Sequence, residues 1–184
     1  MPRRGGPISR AFGRLVLCTL RWRISGVLPN VPKAVVVAAP HRSNWDFVIA
    51  IAAKFALGLE ASWLGKHTLF RGPFGAFFRG AGGIPVDRRG SQDTVASILE
   101  QFTTREKLIL GLAPEGTRKP GTPWKTGFWH IAHGAGVPIV PMVLDRSNRT
   151  IHILPVLQPT TLDADLSLLA SQYAELVPGV LIAR

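Results

Sequence analysis

Five short apolar runs punctuate the chain: Ala34–Ala39, Gly83–Val86, Leu108–Ala113, Pro138–Leu144 and Ile151–Leu157. Each is too short for a buried helix and is the right length for a strand with little exposed surface. Phe47–Leu59, Ser91–Arg105 and Gly127–His133 lie among them, mixing apolar and polar positions as helices do. Strands alternating with helices predict an α/β protein, one domain with a mixed, largely parallel central sheet flanked by helices. There is no internal repeat or low-complexity linker. The longest candidate for a membrane span, Phe47–Leu64, is interrupted by Lys54 and Glu60. It falls short of the roughly 18 uninterrupted apolar residues a span needs, so no transmembrane helix is expected.

The first 30 residues follow another pattern. Ile8–Trp22 is expected to be a helix. At about 100° per residue, Arg10, Arg14 and Arg21 gather on one edge, while Ile8, Phe12, Leu15, Val16 and Trp22 lie on the far side. Two readings stand: a helix lying in the headgroup region of an anionic bilayer, or an amphipathic helix packed on its own domain. On the first, residues 1–30 are a basic membrane-surface segment and residues 31–184 form the main domain.

Charge narrows the partners. The formal net charge is +11, and no acidic residue precedes Asp46, whereas Arg3, Arg4, Arg10, Arg14, Arg21, Arg23, Lys33 and Arg42 are all basic. Such an excess favours a membrane surface, a nucleic acid or a phosphorylated small molecule. Nucleic acid is disfavoured, since neither zinc-ligand spacing nor an aromatic ribonucleoprotein motif accompanies the charge. A mean hydropathy of +0.19 with only 18% charged residues implies apolar surface as well as apolar core. Cys18 is the only cysteine, which excludes an intrachain disulfide and a multi-thiolate metal site.

The candidate chemistry sits where strands end. His41 and Asp46 stand five positions apart after the Ala34–Ala39 run. Neighbours on a helix face are three or four apart, so a loop-to-helix transition must bring these two together. A carboxylate holding one imidazole nitrogen leaves the other free to take a proton from a hydroxyl. The competing reading makes Ser43-Asn44-Trp45-Asp46 a helix start with Asp46 as a cap and His41 an ordinary loop residue. Backbone N–H groups at that helix start are candidate oxyanion donors. Farther on, Leu108–Ala113 runs into Pro114-Glu115-Gly116-Thr117-Arg118, setting an acid, a flexible hinge and a guanidinium at a strand end, where open α/β sheets bind ligands. Arg118 can clamp a phosphate bidentately or form a surface pair with Glu115. Lys125 beside this loop can hold an anionic headgroup or simply be exposed. Arg88 and Arg89 follow a further apolar run, and Lys66 opens a loop of basic, aromatic and glycine residues. His130 and His133, at i and i+3, have metal spacing but no accompanying ligand cluster, so no metal is expected.

Four motifs occur in order: His41-x4-Asp46, Gly83-Ile84-Pro85-Val86-Asp87-Arg88, Pro114-Glu115-Gly116-Thr117-Arg118 and Val137-Pro138-Ile139-Val140-Pro141. Together they resemble the glycerolipid acyltransferases, the 1-acylglycerol-3-phosphate acyltransferases and their relatives, over roughly Val31 to Leu157. The resemblance implies a glycerol-phosphate acyltransferase-like fold. It makes His41 the general base and Asp46 its orienting partner. Arg88, Glu115, Gly116, Thr117 and Arg118 would bind a phosphate-bearing acceptor, and Pro138 and Pro141 would belong to the block that shapes the acyl-donor and core region. Lys66 stands where the family opens a Lys-x-Glu-Leu segment, here Lys66-His67-Thr68-Leu69 without its acid. Pro40 precedes the histidine where the best-studied lysophosphatidate enzymes have asparagine, and the second motif lacks the usual Phe-Ile before Asp-Arg.

The implied reaction moves a fatty acyl group from acyl-CoA or acyl-carrier protein, as co-substrate, to a lysophospholipid hydroxyl, with no cofactor. Glycerol-3-phosphate or another lysolipid is the alternative acceptor. A thioester carries a good leaving group, so no covalent acyl-enzyme is required, and no serine or cysteine sits in a nucleophile-elbow pattern. The expected setting is the cytoplasmic face of the cell membrane, peripherally attached to its anionic surface.

Overall fold

The computed structural model describes residues 1–86, 91–119, 121–180 and 182. In chain order the elements are α1 (Pro7–Thr19), β1 (Arg23–Ser25), β2 (Lys33–Ala39), α2 (Asn44–Leu57), β3 (Ala61–Lys66), a 3-10 turn (His67–Phe70), α3 (Gly75–Gly80), β4 (Gly83–Val86), α4 (Ser91–Thr104), β5 (Leu108–Leu112), α5 (Gly127–Ala135), β6 (Ile139–Asp145), β7 (Thr150–Ile153) and α6 (Leu162–Leu176). The strands form one seven-stranded sheet in the order β1-β7-β6-β2-β5-β3-β4. β2 through β6 all run parallel; β7 opposes β6, and β1 follows β7. This is the mixed, largely parallel α/β sheet that the alternation predicts.

The central strands are hydrophobic on both faces because both are covered. Along β2, Val35, Val37 and Ala39 point into a core shared with α4, α5 and α6, where Ile98, Phe102, Phe128 and Leu169 are buried. Ala34 and Val36 point to the other side, beside Ile109, Val140 and Ile153. Over that face lie α1 and α2, joined through Leu17, Ile49, Ala52, Ala53 and Ala56. Gly13 permits the α1–α2 contact: a Cβ there would meet the Ala56 nitrogen and lie 2.6 Å from the Ala52 oxygen.

Several elements differ from expectation. β3 is an additional strand: Ala61-Ser62-Trp63-Leu64-Gly65-Lys66 has no clean apolar run to signal it and is mostly half-buried. α1 stops at Thr19, so Arg21 and Trp22 leave the helix, with Arg21 in the left-handed region at φ 57°. The residues just after it join the sheet as β1. β7 ends at Ile153, short of Pro155, and Leu157 instead bridges back to Ile139. α6 was not expected at all. The N-terminal helix packs on its own domain through Gly13 and Leu17, which face α2, while Ile8, Phe12 and Leu15 remain 84%, 59% and 65% exposed. Among the described residues no helix is long and apolar enough to cross a membrane.

Candidate active site

The parallel strands β2, β3, β5 and β6 bring their carboxyl ends to one edge of the sheet, and the candidate residues leave from there. β2 ends at Ala39, and the chain turns through Pro40 and His41 into α2. Ser43 is the N-cap; its Oγ accepts from the Trp45 N–H at 3.0 Å. Asp46 reaches back, and its Oδ2 accepts from the N–H groups of Arg42 and Ser43, each at 2.7 Å. This is a capping box, and the same Oδ2 lies 3.5 Å from His41 Nδ1. One carboxylate thus both caps the helix and faces the imidazole. A gap of 3.5 Å is longer than a hydrogen bond, as catalytic contacts often are before substrate arrives.

The other oxygen of Asp46 belongs to Arg146, whose Nε donates to Oδ1 at 3.1 Å and whose Nη2 donates to the same atom. With 1% of its side chain exposed, Asp46 is a buried charge, and such a charge is held only where partners surround it. No local motif points to Arg146, which lies 100 residues from Asp46 in sequence. Only the sheet order, which sets Ala39 of β2 beside Val143 of β6, brings it near. Its one signal was a charge just past an apolar run.

Glu115 closes the far side of the loop. Its Oε2 accepts from the His41 backbone N–H at 2.6 Å. It was expected among the acceptor-binding residues, but it is 8% exposed and does not line the groove described below. Its place is beneath the histidine, fixing the backbone. Burial raises its pKa, an effect opposed by the His41 N–H and by Arg42. Of the expected oxyanion donors, the N–H groups of Arg42, Ser43, Trp45 and Asp46 bond within the loop.

His41 is half-buried, with 24% of its side chain exposed. Burial lowers its pKa from 6.5; Asp46 opposes this, and Arg118 and Arg146 reinforce it. The balance keeps the imidazole neutral, and so basic, near neutrality. Nδ1 faces the carboxylate, which leaves Nε2 for a substrate proton.

His41 opens onto a groove of about 1940 Å³. Phe47, Ile51, Trp63 and Phe78 are among its apolar lining, and Phe47 and Trp63 meet edge-to-face with ring centroids 4.7 Å apart. Lys66, Gly116, Thr117, Arg118 and Lys125 line the same groove. Gly116 has φ +63°, and a side chain there would touch the aliphatic end of Lys125, so the lysine lies across the glycine. Arg88 falls outside the described residues. His130 is exposed and His133 stacks on Trp129 at 4.6 Å, and the described residues contain no group able to hold a metal.

Residues 24–145 match the family model named Acyltransferase. The chain belongs to this family. Among its relatives, the 1-acyl-sn-glycerol-3-phosphate acyltransferase of Salmonella typhimurium is 29% identical over 155 residues, which are 80% of this chain and 60% of that protein. The enzyme of the same name from Haemophilus influenzae is 30% identical over 161 residues, 83% of this chain and 65% of that one. The chain thus spans about three fifths of the length of these curated relatives. The crystal structure of the 1-acyl-sn-glycerophosphate (LPA) acyltransferase from Thermotoga maritima shares the fold, with a TM-score of 0.61 and 20% identity over 93% of this chain and 76% of that one. The acyltransferase match contains His41, Asp46, the Glu115–Arg118 loop and, at its last position, Asp145; Arg146 lies one residue beyond it.

Proposed function

We propose that the protein transfers a fatty acyl group from a thioester, acyl-CoA or acyl-carrier protein, to the free hydroxyl of a lysophospholipid, with 1-acylglycerol-3-phosphate the favoured acceptor. The observation that carries this is an imidazole facing a buried carboxylate at the mouth of a large apolar groove, with exposed cations beside it. His41 Nε2 takes the hydroxyl proton as the oxygen attacks the thioester carbonyl, and Asp46 steadies the imidazolium. Collapse of the tetrahedral intermediate expels the thiolate, which recovers the proton from His41. Arg118 and Lys125, with Lys66 farther along the groove, supply the charge to hold the acceptor phosphate. The apolar wall suits an acyl chain.

The exposed stripe Ile8, Phe12 and Leu15 supports peripheral attachment to a bilayer, on the cytoplasmic face where the thioester donor would be met. Thioester consumption measured with purified protein across 1-acylglycerol-3-phosphate, other lysolipids, glycerol-3-phosphate and a non-phosphorylated alcohol tests the reading. Fastest turnover with 1-acylglycerol-3-phosphate is expected. Turnover with none of them, together with salt-sensitive nucleic-acid binding, would reject it.

A further inference from the structure

A second cleft, of about 960 Å³, opens at the flank of α1 and shares only Leu57 with the catalytic groove. Arg14, Arg21, Arg23 and Arg149 line it, above an apolar floor that includes Leu17 and Trp22. The arginines come from α1, the turn after it, β1 and the β6–β7 turn. Among the described residues none offers any of these four side chains a hydrogen bond or an ion pair. Asp145, on the same turn, is already engaged: it accepts from Asn148 and faces His152. Guanidinium groups gathered without a counter-ion repel one another, and an arriving anion relieves that.

The backbone points the same way. Arg21 and Arg149 are the only non-glycine residues with positive φ among those described, at 57° and 49°, and both line this cleft. Glycine or asparagine adopts that conformation more readily, so an arginine there is held against its backbone preference. Strain of this kind gathers at binding sites. The cleft also lies at the catalytic edge of the sheet: Arg23 pairs with Thr150, which pairs with Asp145 at the carboxyl end of β6. Beside it, α1 turns Ile8, Phe12 and Leu15 outward while Gly13 and Leu17 face α2. A helix lying with that stripe among acyl chains brings its flank to the level of lipid phosphates.

We infer that this cleft binds the phosphate of an anionic phospholipid distinct from the acceptor in the groove. The guanidinium groups grip the phosphate oxygens in bidentate fashion, and the first carbons of the acyl chains rest on Leu17 and Trp22. The inference rests on the reading of α1 as lying at a bilayer.

Sedimentation of the purified protein with vesicles tests it, using phosphatidylcholine alone and phosphatidylcholine mixed with phosphatidylglycerol. The parent protein binds the first weakly and the second at least about tenfold more tightly. Arg23→Gln with Arg149→Gly, the glycine relieving the positive φ, loses nearly all of that gain, falling by about tenfold to near the phosphatidylcholine level. Arg3→Gln with Arg4→Gln removes equal charge near the same helix and keeps most of it. If the two double variants lose it equally, the attraction is diffuse and the site is refuted. Retention of the full gain by the cleft variant refutes it as well. Absence of binding to either vesicle instead defeats the bilayer reading beneath it. Inorganic phosphate that raises the melting temperature of the parent but not of the cleft variant, with no gain from phosphatidylglycerol, replaces the lipid with a soluble anion and overturns the assignment. Should the double variant not fold, Arg23→Gln alone is expected to lose about fivefold.

Discussion

In the His41–Asp46 loop both oxygens of the buried carboxylate have partners in the protein, whereas in the Glu115–Lys125 loop the side chains of Arg118 and Lys125 stand exposed with no hydrogen bond or ion pair to a described residue. The two loops leave neighbouring strands, β2 and β5, and line one groove. Under the proposed function, their difference follows from what each would do. Proton transfer needs an imidazole held in one orientation before substrate arrives, so its brace is locked by the backbone of its own helix start and by Arg146. Recognition of a phosphate needs donors that the ligand can satisfy, so the cations are left to water until it comes.

Mutation breaks the two loops differently. His41→Ala removes the proposed base, and the acyl-transfer rate is expected to fall by about 10²–10⁴-fold with the fold intact by circular dichroism. Arg118→Ala acts on recognition: KM for a phosphate-bearing acceptor rises roughly 10- to 100-fold, and kcat changes much less. The contrast fails if Arg118→Ala lowers kcat as severely as His41→Ala does. Arg146→Ala is milder than either. It removes one of the charges that lower the His41 pKa and leaves Asp46, which raises it, so the acid limb of the pH–rate profile moves to higher pH. The rate near neutrality falls by about tenfold or less. An unmoved limb would show that Arg146 has no hold on the base. Smallest for chemistry is Gly13→Val, which forces a side chain against the α2 backbone. It lowers stability by about 1–3 kcal/mol in a denaturant titration and leaves kcat near that of the parent, because it touches α1 rather than the site.

The sequence made the centre of the sheet legible because β2, β5 and β6 are continuous apolar runs, buried on both faces. β3 and β1 are hidden for the opposite reason: both are partly exposed and mix polar with apolar positions, β1 is only three residues long, and pairing with β5 and β7 makes them strands. In the site, His41, Asp46 and Arg118 stand at strand ends, where a motif can be read locally. Arg146 could not be found that way, since its role exists only through the β2–β6 adjacency. Glu115 stands in the motif's loop but turns under His41, and sequence spacing cannot distinguish a carboxylate that faces ligand from one that turns under its neighbour.

The most direct test follows the ionisation of His41 itself. Its imidazole resonances, assigned by comparison with His41→Ala, are titrated by NMR alongside kcat/KM for acyl transfer. Titration below 6.5, with the acid limb of kcat/KM at the same pH, is the predicted result. A limb that does not track the titration, or a histidine still protonated well above 6.5, would contradict the assignment of His41 as the base.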